Sequence, residues 1–194
     1  KVMFVPSPAL PMLDVRLVMD AGSARDGDQP GAAALTSALL GEGAEGLSVD
    51  DIARGFEDRG ARFSTGSYQD MGVISLRTLS RPRWRDDAVD LLARVIGTPT
   101  FPEDALERIR TSALQGLKME KQVPGPQVNK AFQRTLFGDH PYGHPQSGTL
   151  ESLPGIERDD LVAFHQRYYA AGNAVIALVG DVSREQAEAI AEQL

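Results

Sequence analysis

The side chains that most often bind metals or move protons in enzymes are scarce in this chain, which has three histidines and no cysteine. His140 and His144 stand four residues apart, a spacing that lets two imidazoles on one helical face reach a single zinc ion. The intervening Pro141 and Gly143 disfavour a helix, so we predict structural roles in a loop for both histidines. His165 lies in an aromatic stretch and is predicted to be a packed or surface residue. The absence of cysteine excludes disulfides, thiolate nucleophiles and thiolate metal ligands.

Other residues that could do chemistry lack the context that the chemistry requires. Ser37 and Ser183 are not in a nucleophile elbow, and Ser183 has the sequence context of a helix N-cap. The acidic residues between positions 50 and 58 lack the spacing of a calcium-binding loop and are predicted to form a solvated helix face. The glycines at 41–46 do not follow a strand in the dinucleotide-binding pattern, so they are predicted to be turn residues. Local motifs therefore predict no catalytic, cofactor-binding or metal-binding residue.

Length and composition are typical of one globular domain. The chain has 194 residues, of which 42% are hydrophobic, enough to form a sizeable core. Its net charge of −7 and the lack of a Lys/Arg cluster argue against binding to nucleic acid or anionic lipid. No apolar run approaches the length of a membrane span, and no signal peptide is recognisable. Because the chain begins at Lys1 and ends within a predicted helix, we expect it to be a fragment of a longer protein.

Hydrophobic periodicity and helix-capping patterns predict the elements that must position any functional residue. Predicted strands cover 2–6, 15–21, 61–67, 71–79 and 173–179. Predicted helices cover 31–40, 48–58, 86–96, 159–169, one segment after Pro102, one around 128–136 and one after Ser183. The segment 137–155 is rich in Gly and Pro and is predicted to be an ordered loop. Helices are too unevenly distributed for a regular βαβ alternation, so the pattern favours an α+β sheet covered by helices.

Four segments in a fixed order give the chain a resemblance to a known family. They are the stretch from Asp20-Ala-Gly-Ser to Gly43, the stretch from Gly46 to Ala61 with its following hairpin, Phe137-Gly-Asp-His-Pro-Tyr-Gly143 with Gly148-Thr, and the stretch from Phe164 to Asp181. Together they span nearly the whole chain. In their order and spacing they resemble the inverted-motif zinc peptidases of the pitrilysin and insulinase type, peptidase family M16.

The resemblance places the family's zinc motif on the helix that follows Gly31. Active members carry His-x-x-Glu-His there, in which two imidazoles bind zinc and the Glu activates a zinc-bound water, and a later Glu is the third ligand. In this chain the two histidines are replaced by Ala34 and Ala38, the general base by Ser37, and the later Glu by Gln115. None of the four is a zinc ligand or a base near neutral pH. We therefore expect no zinc, a helix that serves as a packing element, and a nearly silent Ser37→Ala change.

The resemblance also implies a fold and a function. We expect residues 1–194 to form a single M16 N-terminal-type domain, LuxS/metallopeptidase-like, with a largely antiparallel sheet packed with helices, followed in the complete protein by a second similar domain. The implied function is that of a noncatalytic subunit, a pseudoenzyme that helps to bind and enclose extended peptides for a related M16 subunit with an intact zinc motif. Zinc is then expected only in that partner. The resemblance favours a soluble protein of the periplasm or cytoplasm, the periplasm more than the cytoplasm.

Two other functions remain open from the sequence. One is a structural or assembly subunit, like the core proteins of the respiratory complexes, which binds neighbouring subunits and needs no peptide groove. The other is an active zinc metallopeptidase whose ligands come from elsewhere. The active metallopeptidase is the weakest of the three functions, because no histidine precedes His140.

Overall fold

The computed structural model describes all residues, 1–194, and contains seven strands and seven α-helices. The strands are β1 (Val2–Pro6), β2 (Met12–Met19), β3 (Gly43–Ala44), β4 (Leu47–Ser48), β5 (Arg62–Ser67), β6 (Gly72–Leu79) and β7 (Ala174–Gly180). The helices are α1 (Ala32–Leu39), α2 (Val49–Glu57), α3 (Pro82–Gly97), α4 (Glu103–Glu120), α5 (Pro124–Phe137), α6 (Arg158–Tyr168) and α7 (Arg184–Gln193). No helix combines the length and the hydrophobicity needed to cross a lipid bilayer.

The main sheet has five strands in the order β1-β7-β2-β6-β5. β2 pairs antiparallel with both β6 and β7, and β5 pairs antiparallel with β6. Only the pair of β1 and β7 is parallel. The predicted α+β class with a largely antiparallel sheet is confirmed, while β3 and β4 form a small separate hairpin that the sequence pattern does not predict.

One face of the sheet carries the core. In β2 the side chains of Leu13, Val15, Leu17 and Met19 are buried, while the alternating positions between them are partly or fully exposed. This period of two is the pattern of a strand with one face against helices. α3 packs on β6, and α1 packs on β5, on α4 and on α6. The core therefore lies between this face of the sheet and the helices, among them α1, on which the resemblance places the zinc motif.

Local sequence signals determine where several helices begin. Ser48 and Ser183 both form capping boxes, in which the serine hydroxyl accepts from the amide of the third helical residue and that residue's side chain accepts in return. Both were expected from the sequence. α3 begins at Pro82, four residues before the predicted start, because proline is well suited to the first turn of a helix.

α5 differs most from its prediction. It begins at Pro124 rather than after the two prolines, since both occupy its first turn, where no intrahelical N–H bond is lost. The apolar residues whose spacing predicts this helix are Val128, Ala131, Phe132 and Leu136, and all four are exposed. The partly buried residues are Pro126, Lys130, Gln133 and Phe137, on the opposite side. The helix thus turns a mixed side toward the body of the protein and its apolar stripe outward.

Candidate functional site

Helix α1 is held in place at its N-terminus by a buried carboxylate. Asp26 is 7% exposed and accepts hydrogen bonds from the amides of Gly31 (2.7 Å) and Ala33 (2.8 Å). These are two of the free donors that every helix N-terminus presents. Gly31 has φ 106°, and a Cβ atom there would lie 2.6 Å from Leu153 Cδ2, so glycine is required for both reasons. Burial raises the pKa of Asp26 to about 6, an effect that the two amides partly oppose.

The motif positions divide between the two sides of α1. Ala38 is exposed and Ala34 is half-buried, so the two positions at which the resemblance places the histidines of active relatives lie on the accessible side. Ser37 is 3% exposed, and Leu39 is fully buried in the core. The expected role of α1 as a packing element therefore describes its Leu39 side, but not its Ala38 side, which is open to solvent.

The residues at this position do not fit a zinc ion. Two methyl groups provide no electron pair, and the serine hydroxyl at position 37 is turned into the protein. Gln115 is exposed on α4, which packs on α1, and its neutral carboxamide replaces the anionic third ligand of the family. Nowhere in the structure do three His, Asp or Glu side chains come close enough together to bind a metal ion.

Beneath α1, a small polar cluster contacts Ser37. The Tyr169 side chain lies against Ser37 and stacks on the His165 ring, with 5.1 Å between the ring centroids. The Nε2 atom of His165 is 2.8 Å from the carbonyl oxygen of Ile96. Burial raises the pKa of Tyr169 to about 12 and lowers the pKa of His165, so both side chains are neutral at physiological pH. Of the two roles predicted for His165, packed or surface, its 8% exposure shows the packed one.

An open sheet edge runs beside α1. β5 is the last strand of the sheet and pairs only with β6, so its other side has backbone donors and acceptors without a strand partner. The Thr65 hydroxyl of β5 donates a 2.8 Å hydrogen bond to the carbonyl oxygen of Ser37. The emptied motif and the free edge are therefore neighbours. Such an edge can bind an extended peptide as an additional strand.

The two loop histidines do not form part of this site. Residues 141–143 form a 3-10 turn, and the Nδ1 atom of His140 accepts from the amide of Tyr142 at 3.2 Å. His140 and His144 are both exposed. Their spacing of four therefore does not place the two imidazoles on one face of an α-helix, as the intervening proline and glycine predict.

Sequence reasoning does not find the two residues that support α1 from below and from its N-terminus. Asp26 could have been suspected, because an acidic residue precedes an Ala-rich helix that has no capping residue of its own. Tyr169 has no such signal. It lies 132 positions after Ser37 in the chain, and only the folding of α6 against α1 brings the two together.

Comparison with known families accounts for nearly the whole chain. Residues 1–150 match the profile of Insulinase (Peptidase family M16), and residues 155–194 match that of the Peptidase M16 inactive domain. An uncharacterized zinc protease of Mycobacterium leprae is 28% identical over 96% of this chain and 42% of its own. A protein of Helicobacter pylori named as a non-peptidase homolog, YmxG, is 26% identical over 95% of this chain and 43% of its own.

Solved structures agree with these relationships. A crystal structure of a peptidase M16 inactive domain from Pseudomonas fluorescens is 50% identical, with a TM-score of 0.98 over 99% of this chain and 47% of that one. Pitrilysin has the same fold, with a TM-score of 0.81 at 23% identity over 98% of this chain and 21% of that one. The chain spans less than half the length of these relatives. The profile match over residues 1–150 and the shared fold establish that the chain belongs to peptidase family M16.

Proposed function

We propose that this protein is a noncatalytic M16 member that binds extended peptides along the free edge of β5 and presents them to a related M16 subunit with an intact zinc motif. One observation carries the proposal: a helix α1 without metal ligands lies directly beside an open edge strand. The lost zinc site removes the chemistry, whereas the edge retains the means of holding a substrate.

The case against catalysis rests on the donor set at the motif. Hydrolysis by this family requires a metal-activated water and a carboxylate base. Ala34, Ser37, Ala38 and Gln115 provide neither a zinc ligand set nor a base. The names of two relatives, a non-peptidase homolog and an inactive domain, support the same proposal. Zinc would then be found in the partner and not in this chain.

The case for peptide binding rests on the geometry of β5. Hydrogen bonds to the free main-chain groups of an edge strand give affinity with little dependence on peptide sequence. The bond from Thr65 to the Ser37 carbonyl anchors this edge to α1, so the strand is held in position before a peptide arrives. The unpaired edge therefore suits extended or unfolded peptides better than folded proteins.

The length of the relatives supports the two-domain part of the proposal. This chain covers 42–47% of the first relatives and of the Pseudomonas fluorescens structure, in agreement with a complete protein of two similar M16 domains. Residues 1–194 would be the first of them. A periplasmic location is also proposed, and the periplasmic protease PqqL of Escherichia coli, whose fold matches with a TM-score of 0.83, supports it.

The decisive experiment measures peptide binding and hydrolysis separately. A fluorescent ten-residue β-forming peptide should bind, as followed by anisotropy, and should stay intact after prolonged incubation. Two further peptides carry N-methyl groups on alternate residues, in the two opposite registers. The N–H groups of successive residues in an extended peptide point to opposite edges, and strand addition uses only one edge. N-methylation in one register should therefore abolish binding, and in the other register it should preserve binding. Equal binding of both would exclude strand addition, and cleavage by the isolated protein would exclude a noncatalytic role.

An assembly role is the second candidate, and the exposed apolar side of α5 favours it. Val128, Phe132 and Leu136 form a stripe along the outer side of this helix, with Phe132 58% exposed. Such stripes mark contacts with other proteins. An assembly subunit would form its complex without binding peptides, whereas the leading proposal requires peptide binding. The N-methyl experiment therefore distinguishes the two.

A further inference from the structure

The outer face of the main sheet, which points away from the core, carries a group of arginines close to the free edge of β5. A groove of 350 Å³ on this face is lined by Arg16 of β2, Arg77 of β6 and Arg62 of β5. The strand register places Arg77 directly opposite Arg62 on one side and opposite Asp14 on the other. Three guanidinium groups therefore share the groove with a single carboxylate, in a protein whose net charge is −7.

Two of these positive charges have no partner in the protein. The carboxylate of Asp14 accepts from Nε and Nη2 of Arg77, at 2.6 and 3.0 Å, so both of its oxygens are occupied. Arg16 and Arg62 are exposed and take part in no ion pair. Like charges directly opposite each other in neighbouring strands destabilise a sheet, so the pair of Arg62 and Arg77 has an energetic cost in the free protein. An anion bound beside Arg62 would offset this repulsion.

Small side chains keep the groove open between the two free arginines. Ser64 of β5 lies opposite Ser75 of β6, and Ser75 lies opposite Arg16 of β2. The row that leads from the free edge to Arg16 therefore consists of two serines, which leave room for a side chain that enters from the edge. Guanidinium and hydroxyl groups are both donors to an oxygen anion, and guanidinium binds carboxylates with particular strength. A carboxylate is thus the group that the groove complements.

The groove opens onto the strand edge at which peptides are proposed to bind. A residue of an added strand that lies opposite Arg62 has its Cβ atom about 5 Å from that of Arg62, and the residue two positions away lies opposite Ser64. The side chains between them point to the other face of the sheet. We propose that the groove binds Asp or Glu side chains at alternate positions of the added strand, with Arg62 as their main partner and Arg16 at the far end. This inference rests on the proposed peptide-binding function and names its substrate class, extended peptides with acidic residues along one face.

The test uses the N-methylated peptide that retains binding to β5, because its methyl groups fix which residues pair with the strand and hence which side chains share a face. Two Glu residues, or two Gln residues as the uncharged reference, are placed at two alternate positions, either among the N-methylated residues or among the others. The two Glu peptides have the same composition and charge, so the net charge of the protein acts on both alike. Affinities are measured by anisotropy for the wild type, for Arg62→Gln, for the double variant Arg16→Gln/Arg62→Gln and for Arg54→Gln. Arg54 is exposed on α2 and lies outside the groove, so its variant is the matched control.

At one of the two pairs of positions, Glu should bind the wild type about fivefold more tightly than Gln, the effect expected of two opposite-charge neighbours in adjacent strands. At the other pair Glu should give no gain. Arg62→Gln should reduce the preference to about twofold, the double variant should abolish it, and Arg54→Gln should keep it. The preference should also shrink when the salt concentration is raised from about 0.05 M to about 0.5 M, because salt screens exposed charges.

The outcomes separate the acidic subsite from the function on which it rests. If Glu and Gln bind equally well at both pairs of positions, or if the preference survives unchanged in the double variant, the subsite is excluded and the peptide-binding function stands. If neither N-methylated peptide binds at all, both fall. Thermal melts of the variants verify that each is folded, so that a lost preference reports on the groove.

Discussion

The Thr65 hydroxyl donates a 2.8 Å hydrogen bond to the main-chain carbonyl of Ser37, and this bond joins the edge strand of the sheet to the helix that lost the zinc motif. The resemblance to active relatives places the general base of the motif at Ser37. Its side chain is now buried against Tyr169, while its carbonyl supports the strand. Ser37 thus connects the protein interior, through its side chain, with the edge strand, through its carbonyl oxygen.

We expect Thr65→Val to lower the free energy of unfolding by about 1 kcal/mol, because it removes this hydrogen bond at nearly constant shape. It should also weaken peptide binding, since β5 would no longer be anchored. Thr78→Val is the matched control, because the Thr78 hydroxyl is buried without a partner, and its removal should be neutral or stabilising. Urea denaturation and peptide anisotropy measure both effects. Equal destabilisation by the two changes would contradict the role given to Thr65.

Asp26 should make stability fall as the pH rises. Burial raises its pKa from the ordinary value of 3.8 to about 6 in the folded protein, so the folded state binds more protons than the unfolded state between these values. The contribution is fully present below about pH 4 and is lost as the pH rises through 6, with a total of about 3 kcal/mol from a shift of this size. In Asp26→Asn this dependence disappears. Urea denaturation should show the wild type losing about 3 kcal/mol of stability relative to the variant between pH 4 and pH 7. A constant difference would mean that Asp26 titrates normally.

The same variant should carry a second, pH-independent cost. Both partners of the Asp26 carboxylate are main-chain N–H groups, and an asparagine can accept from only one of them with its single oxygen. The loss of one helix-capping bond costs about 1 kcal/mol. Above pH 7 this cost opposes the stability that the variant gains because it buries no charge. The two effects are therefore separable only by measuring stability across the pH range.

Charge substitutions on neighbouring positions of α1 should have opposite outcomes. Leu39 is fully buried, and Leu39→Asp should destabilise the fold by several kcal/mol, on the order of 3–5, as an unpaired buried charge does. Ala38 is exposed, and Ala38→Asp should change stability by about 0.5 kcal/mol or less. Thermal melts of the pair decide the orientation of the helix. An unchanged midpoint for Leu39→Asp would place this side of α1 in solvent.

Ser37→Ala should cost more than the sequence alone suggests. From the motif alone the change is expected to be nearly silent. In the structure Ser37 is 3% exposed and contacts the buried Tyr169, so the variant should lose about 1 kcal/mol of stability. The double change with Tyr169→Phe should cost less than the sum of the single changes, because both remove the same contact. Additive losses would show that the two side chains do not interact.

Zinc binding should require several changes at once. The wild-type protein should contain no stoichiometric zinc, and Ala34→His alone should not bind it tightly, because one imidazole leaves too few ligands. The combination of Ala34→His, Ser37→Glu, Ala38→His and Gln115→Glu is the minimal set expected to gain zinc. Elemental analysis after dialysis measures the zinc content of the wild type and of each variant. One zinc per wild-type chain, or tight binding by the single variant, would contradict the assignment of the motif.

Properties that depend on residue type or on a few neighbouring residues could be predicted from the sequence. Whether position 34 can bind zinc is decided by alanine itself, and the capping boxes at Ser48 and Ser183 involve residues three positions apart. The same holds for the strand alternation of β2 and for the α+β class, because side-chain period and backbone preference act over short distances.

The tertiary structure alone decided how those pieces meet. β1 enters the sheet only by pairing with β7, a strand more than 170 positions later. α5 turns its apolar stripe outward, although the spacing of its apolar residues is that of any amphipathic helix. Contacts between distant residues, such as that of Tyr169 with Ser37, depend on the packing of whole elements, which no local pattern encodes. The sequence by itself therefore determined that positions 34, 37, 38 and 115 offer neither an imidazole nor a carboxylate, and the fold determined that an open strand edge lies beside α1.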